Sequence, residues 1–173
     1  HNNLGNTLRM QGKVKEAIRH LKWAVELRDE DPSAHHNMGV ALAMTGRFDK
    51  ALEHFQQAQR LAPDWLAPSM RMAWILATHP DPQLRDPEGA IRLAEHAAGL
   101  TNHQQPLVLD TLAAAYAAAE RFDEAVTTAR QALNLAGALG SKVTDQFRRR
   151  LELYQQRKPY REALSRSDMF NDQ

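Results

Sequence analysis

Ala51, Phe55, Ala58 and Leu61 fall at the three-and-four spacing of an amphipathic helix, and Pro63 ends the run. Upstream, Asp31-Pro32 supplies an N-cap followed by proline at the first helical position. The apolar residues Met38, Leu42 and Phe48 then bracket a Thr45-Gly46 turn. Together these signals describe two helices joined by a tight turn. Extended along the chain, the same reading predicts nine helices, at about 1–11, 14–28, 32–45, 48–61, 66–78, 87–100, 106–119, 122–138 and 141–157. The predicted class is all-α.

The helix pairs repeat. Gly5, Gly12, Ala17, Leu21, Ala24 and Leu27 recur 34 residues later as Gly39, Gly46, Ala51, Phe55, Ala58 and Leu61. Gly39 maps on to Ala73, after which an insertion of five residues within 79–85 delays the next helix to Asp86-Pro87-Glu88. Ala90, Ala97 and Leu100 then reappear 35 residues later as Ala125, Ala132 and Leu135. The small residues Gly39, Ala51 and Ala58 have a steric reason, because two helices that cross closely leave no room for a long side chain. The segment 141–157 breaks the repeat but keeps an apolar stripe at Val143, Phe147, Leu151 and Tyr154. It reads as a helix covering the exposed end of the array. The expected organisation is four units over 1–140, the first incomplete at its N-terminus and the third with a longer turn. A capping helix over 141–158 and a flexible tail over 159–173 follow. The first residue is His1 rather than Met, so the chain reads as the C-terminal portion of a longer array.

These residues resemble the tetratricopeptide repeat family, in its bacterial type. The resemblance rests on Leu4-Gly5, Ala17, Leu21 and Ala24 in the first unit, and on Met38-Gly39, Leu42, Ala51, Phe55, Ala58 and Pro63 in the second. In the fourth it rests on Leu112-Ala113, Tyr116, Ala125, Ala129 and Ala132. It implies a right-handed superhelix, an α-solenoid, whose first helices line a concave groove, and it implies binding of another protein. In that geometry the groove positions are Asn2, Asn3 and Asn6 in the first unit and His36, Asn37 and Val40 in the second. Met70, Arg71 and Trp74 follow in the third, and Asp110 and Thr111, with Ala114, in the fourth.

Asn3, Asn37 and Arg71 occupy equivalent positions, and a row of amides can donate to a peptide carbonyl while accepting from its N–H. This is similar to the asparagine ladder of the O-GlcNAc transferase superhelix. Asn6, Asn37 and Arg71 also resemble part of the carboxylate clamp of co-chaperone repeats, but Asn2 and Ala67 stand where that clamp has lysines. The opposing reading of the asparagines is helix-to-helix hydrogen bonding, and Arg71 beside Trp74 reads equally as a guanidinium covering an indole.

Composition narrows the function classes. Lys plus Arg number 22 against 21 Asp plus Glu, so net charge gives no reason to expect nucleic acid. The 142–166 segment does hold eight Lys or Arg against three Asp or Glu, and is read as a solvated helix face. There is no cysteine, which removes disulfides and thiolate chemistry and leaves the compartment open, with the cytoplasm favoured. The longest apolar run, Leu112 to Ala119, is eight residues, against roughly 18 or more for a bilayer span. Eight histidines raise the question of a metal; His20 and His54 lie 34 apart, but no carboxylate or third histidine recurs with them, and His35-His36 diverge around their helix. No nucleophile motif or Gly-rich phosphate loop is present. The sequence therefore predicts no enzyme activity, no cofactor and no metal. It predicts a module that holds an extended peptide or partner helix. The alternatives are the recognition segment of a larger enzyme, such as a glycosyltransferase, or a scaffold that self-associates through its N-terminal repeat.

Overall fold

A computed structural model describes residues 1–138 and 140–163. Among them the regular elements are all helical: α1 (Asn2–Met10), α2 (Val14–Leu27), α3 (Pro32–Ala43), α4 (Phe48–Leu61), α5 (Leu66–Thr78), α6 (Pro87–Leu100), α7 (Pro106–Ala118), α8 (Phe122–Leu135) and α9 (Ser141–Gln155). These are the nine helices expected from periodicity. Two short 3-10 turns were not expected: Pro82–Leu84, inside the insertion, and Ala136–Ala138, where α8 stops early. The described chain divides into two compact units, 1–69 and 70–163, with the boundary inside α5.

In the first unit α1 packs on α2 and α3 on α4, while α3 also meets α1 and α2. The apolar stripes close on each other, burying Leu8, Leu21, Met38, Leu42 and Phe55 with a row of alanines between. Close crossing depends on absent side chains. A Cβ on Gly39 would lie 2.6 Å from the Phe55 ring, and one on Gly5 would lie 2.6 Å from Leu21. The α3 N-terminus is capped as the sequence indicates, Asp31 accepting from the Ser33 and Ala34 amides at 2.9 and 3.3 Å.

In the second unit α7 lies between α6 and α8, and α9 packs on α8 and α7. Phe147, Leu151 and Tyr154 on α9 are buried, so the stripe read from the sequence faces the core. The Tyr154 hydroxyl is buried without a hydrogen-bond partner among the described residues, and its burial pushes its pKa up. A buried, unpaired hydroxyl costs about 1–3 kcal/mol. Tyr154→Phe is therefore expected to raise the melting temperature, an outcome a thermal scan checks directly.

The tight turns from α1 to α2, from α3 to α4 and from α7 to α8 use left-handed backbone. Gly46 supplies it at φ +75° in the first unit, and the repeat-equivalent Glu120 adopts φ +62°. A non-glycine residue held there is strained by about 1–2 kcal/mol. Glu120→Gly is expected to stabilise the α7–α8 pair, by about 0.5–1 kcal/mol once the flexibility of glycine is subtracted, as measured by urea unfolding.

The segment following α9 departs from expectation. The flexible tail expected from Pro159 is instead held against α5 through 160–162, because α5 ends in carbonyls that need donors. The rest of that expected tail, 164–173, lies outside the described residues.

Candidate functional site

The first unit gathers its candidate residues on the side where α1 meets α3. Asn37 donates through Nδ2 to Asn2 Oδ1 at 2.8 Å, and Asn2 donates to Ser33 Oγ at 2.7 Å. Ser33 donates in turn to Asp31 Oδ1 at 2.6 Å. That hydroxyl, more than any other group, holds the Asp31 carboxyl below the usual range. The amide row is therefore joined, but through Asn2 rather than the register-equivalent Asn3. Asn3 is exposed, and only its main-chain carbonyl is used, accepting from Thr7. Asn6 accepts from Arg9 at 2.6 Å. His36 packs its ring 4.7 Å from Trp65 and 5.6 Å from Phe55, so it serves packing as well as any surface role. Val40 is half-buried.

Two pairs of histidines meet in this unit that the sequence reading does not join. His35 Nδ1 and His54 Nδ1 are 3.0 Å apart, and His1 and His20 make the same contact at 3.2 Å, one repeat earlier. The signal lies in the spacing: His1 and His35 are separated by 34 residues, as are His20 and His54. His35 Nε2 lies 2.9 Å from the Asp29 carbonyl, which only an N–H there can use. Its Nδ1 is therefore the acceptor and His54 Nδ1–H the donor. This needs no charge, and His54 is depressed below its ordinary value, by burial first and then by His35, with Glu53 opposing. Because the folded state resists the proton, the unfolded chain binds more protons as pH falls below about 6.5. Stability contributed by the pair is thus present above that pH and lost as pH falls toward the folded value of His54. Thermal melts between pH 7.5 and 5 are expected to decline, and His54→Asn, whose amide stands near the Nδ1 position, is expected to flatten the decline. Among the described residues no three His, Cys, Asp or Glu are placed to hold a metal ion.

The second unit distributes its candidates differently. Met70 is half-buried and Arg71 is exposed, making no hydrogen bond or ion pair with the described residues. Asp110 and Thr111, expected on an open surface, are buried at 4% and 6% exposure. Thr111 donates to the Leu107 carbonyl within its own helix. Asp110 receives two bonds from Arg150, at 2.9 and 2.7 Å. Burial pushes the Asp110 carboxyl up while Arg150 pulls it back. Asp110 is thus engaged by Arg150 of α9, and the Thr111 hydroxyl is engaged within α7. Arg150, expected on a solvated basic face, is 8% exposed. It follows Phe147 by three residues and precedes Tyr154 by four, which places it on the apolar stripe.

Trp74 is the candidate with the richest surroundings. The guanidinium beside it is Arg150, 5.3 Å from the ring, and not the neighbouring Arg71. Arg150 also sits 5.4 Å from Phe147 and 5.5 Å from Tyr160. Trp74 Nε1 donates to Glu162 at 2.9 Å, and its ring is 5.7 Å from Tyr160. An aromatic surface, a paired cation and an indole donor thus meet at the end of α5. Such a surface can take an aromatic side chain and a carboxylate together. No helix among the described residues is long and apolar enough to cross a membrane.

Two family models described as tetratricopeptide repeat match the chain, over residues 2–64 and 108–143. No curated protein matches it. Among solved structures, MamA from Desulfovibrio magneticus RS-1 superposes with a TM-score of 0.68 at 18% identity, covering 89% of this chain and 92% of that one. YrrB, described as a TPR protein with an unusual peptide-binding site, gives 0.69 at 17% identity, covering 90% and 76%. A thermophilic TPR protein of Thermus thermophilus gives 0.66 at 20% identity, covering 88% and 78%. At these identities the likeness concerns the fold.

Proposed function

Because this chain belongs to the tetratricopeptide repeat family, we propose that it is a non-catalytic interaction module that holds a linear segment of another protein on its first-helix surfaces. The observation that carries this reading is that α5, a first helix, already holds a non-helical stretch of the chain, 160–162, through the Trp74 indole and the Ala77 and Thr78 carbonyls. The peptide-binding site named in the description of YrrB, a structural neighbour, supports it. In the first unit Asn37 gives one of its two amide N–H donors to Asn2, and among the described residues its Oδ1 is left for an incoming N–H. In the second, Arg71 offers a carboxylate an exposed guanidinium that is uncommitted among the described residues.

The test is selection of peptides from a displayed random library on the full chain. Selected peptides are expected to lose about 1–3 kcal/mol of affinity with Arg71→Ala, more with Arg71→Glu when they are acidic, and nothing with the exposed control Gln56→Ala. Asn37→Ala is expected to weaken binding and also to lower the melting temperature, since it removes the bond to Asn2. A library that yields no binder, or binders indifferent to Asn37 and Arg71, rejects the assignment.

A second reading, self-association through the N-terminal helix pair, draws on Leu4, Trp23 and Leu27, which are 47%, 49% and 71% exposed. Concentration-dependent light scattering with Trp23→Ser separates it from the first.

A further inference from the structure

The chain returns to α5 after α9, and the contact it makes has the form of a bound peptide. An α-helix leaves its last four carbonyls without intrahelical donors. At the end of α5, Ile75 and Leu76 carbonyls accept from the amides of His79 and Asp86, at 3.0 and 3.1 Å. Ala77 and Thr78 find no donor nearby in sequence. Arg161 supplies the first through its guanidinium at 3.1 Å, and the Glu162 amide supplies the second at 2.9 Å. A cation at that position also meets the negative end of the helix dipole.

Side chains complete the arrangement. Tyr160 lies against Trp74 and the Arg150 guanidinium, and the Glu162 carboxylate accepts from the indole. Three consecutive residues are thus read by three different groups: an aromatic and cationic surface, a pair of helix-end carbonyls, and an indole N–H. Helix-end carbonyls can take any main-chain amide, so the selectivity resides in the aromatic ring and the carboxylate two positions later.

We propose that the end of α5 is a binding site for an aromatic-x-acidic segment of a partner protein, and that residues 160–162 occupy it in the resting chain as a removable plug. This rests on the reading of the first-helix surfaces as peptide-binding. The plug is built for release. Tyr160 and Arg161 are only half-buried and Glu162 is exposed, whereas the groups beneath them, Tyr154 and Arg150, are buried. The plug is tethered to α9 by a few residues, so its effective concentration is on the order of millimolar. A partner segment therefore competes when its own affinity or a second contact exceeds that level. A basic residue between the aromatic and the acid strengthens the match through Ala77.

The experiment uses the full chain carrying Tyr160→Ala and Glu162→Lys, which empties the site while leaving α9 in place. A blocked six-residue peptide copied from 158–163 is titrated against it, and the indole N–H resonance of Trp74 is followed by NMR. A saturable shift is expected in the opened chain. The intact chain should bind the peptide at least tenfold more weakly, and a peptide with the aromatic and acidic residues replaced should not bind. Absence of a shift at millimolar peptide, with the opened chain folded, overturns the proposal. The intact protein gives an independent measure should that variant unfold. The Glu162 amide is expected to exchange with solvent at least a hundredfold faster than that of Leu151, and equal protection would mean that 160–162 is a fixed part of the core and would overturn the proposal. Library peptides that bind through Arg71 while the copied peptide fails would sink the plug and leave the general reading standing; the copied peptide binding while the library yields nothing dependent on Asn37 or Arg71 would do the reverse.

Discussion

Replacing Asp110 with alanine is expected to lower stability by about 3–5 kcal/mol, although the change removes a polar residue from a core that is largely apolar. The reason lies in what remains. The Arg150 side chain is 10% exposed, so without Asp110 a guanidinium stays buried with two donors unpaired. The reverse substitution is not its mirror image. Arg150→Ala leaves a carboxyl that burial already pushes toward the protonated form, so Asp110 can take up a proton and become neutral. Arg150→Ala is accordingly expected to cost less, and its cost should shrink as pH is lowered toward the raised Asp110 value, whereas that of Asp110→Ala should not. Replacing both, as Asp110→Leu with Arg150→Met, is expected to return most of the loss, because neither charge is left alone. Urea unfolding of the three variants at two pH values checks the set. Equal costs for the two single substitutions would show that packing, not an orphaned charge, sets the effect.

This pair also marks where the sequence was legible and where it was not. Helix positions, the repeat and the caps come from local signals: apolar spacing, proline at first helical positions, glycine at turns. All are carried by residues near one another in the chain, and the structure follows them closely. The candidate site depends on contacts between distant segments. Asp110 and Arg150 are 40 residues apart and Trp74 and Glu162 are 88 apart, separations at which periodicity says nothing. A partial signal did exist. Asp110 is the single charged residue of α7, and Arg150 falls on the apolar stripe of α9, so each is a charge in a place that burial forbids unless the other is near. The asparagine row was half legible for a similar reason. Repeat register put Asn37 level with the asparagines of α1, but whether it meets Asn2 or Asn3 depends on how α1 and α3 lie against each other, which register alone does not fix. The histidine pairs stay hidden when only His20 and His54 are set in register, because their other members are His1, just before α1, and His35, in α3.

Gly39 provides the other large effect, and it comes with a change of sign. Glycine inside a helix costs about 1 kcal/mol relative to alanine, so propensity alone makes Gly39→Ala stabilising. The structure predicts the opposite. A Cβ at Gly39 would stand 2.6 and 2.7 Å from two carbons of the Phe55 ring and 3.1 Å from the Ala51 carbonyl. Phe55 is fully buried, with α3 on one side and its own helix on the other, so the ring has nowhere to retreat without parting the two helices. Overpacking of this kind costs about 1–3 kcal/mol, more than the propensity gain returns. Removing the ring by Phe55→Ala is expected to cost about 3–5 kcal/mol through the cavity it leaves. The two changes should then interact strongly. In the Phe55→Ala background the ring is gone and only the Ala51 carbonyl, at 3.1 Å, still presses on the new methyl, so the cost of Gly39→Ala is expected to fall sharply as part of the helix propensity is recovered. A double-mutant cycle by chemical denaturation measures this directly. If Gly39→Ala has the same effect in both backgrounds, the methyl does not meet the ring, and the small residue at 39 serves something other than the close crossing of α3 and α4.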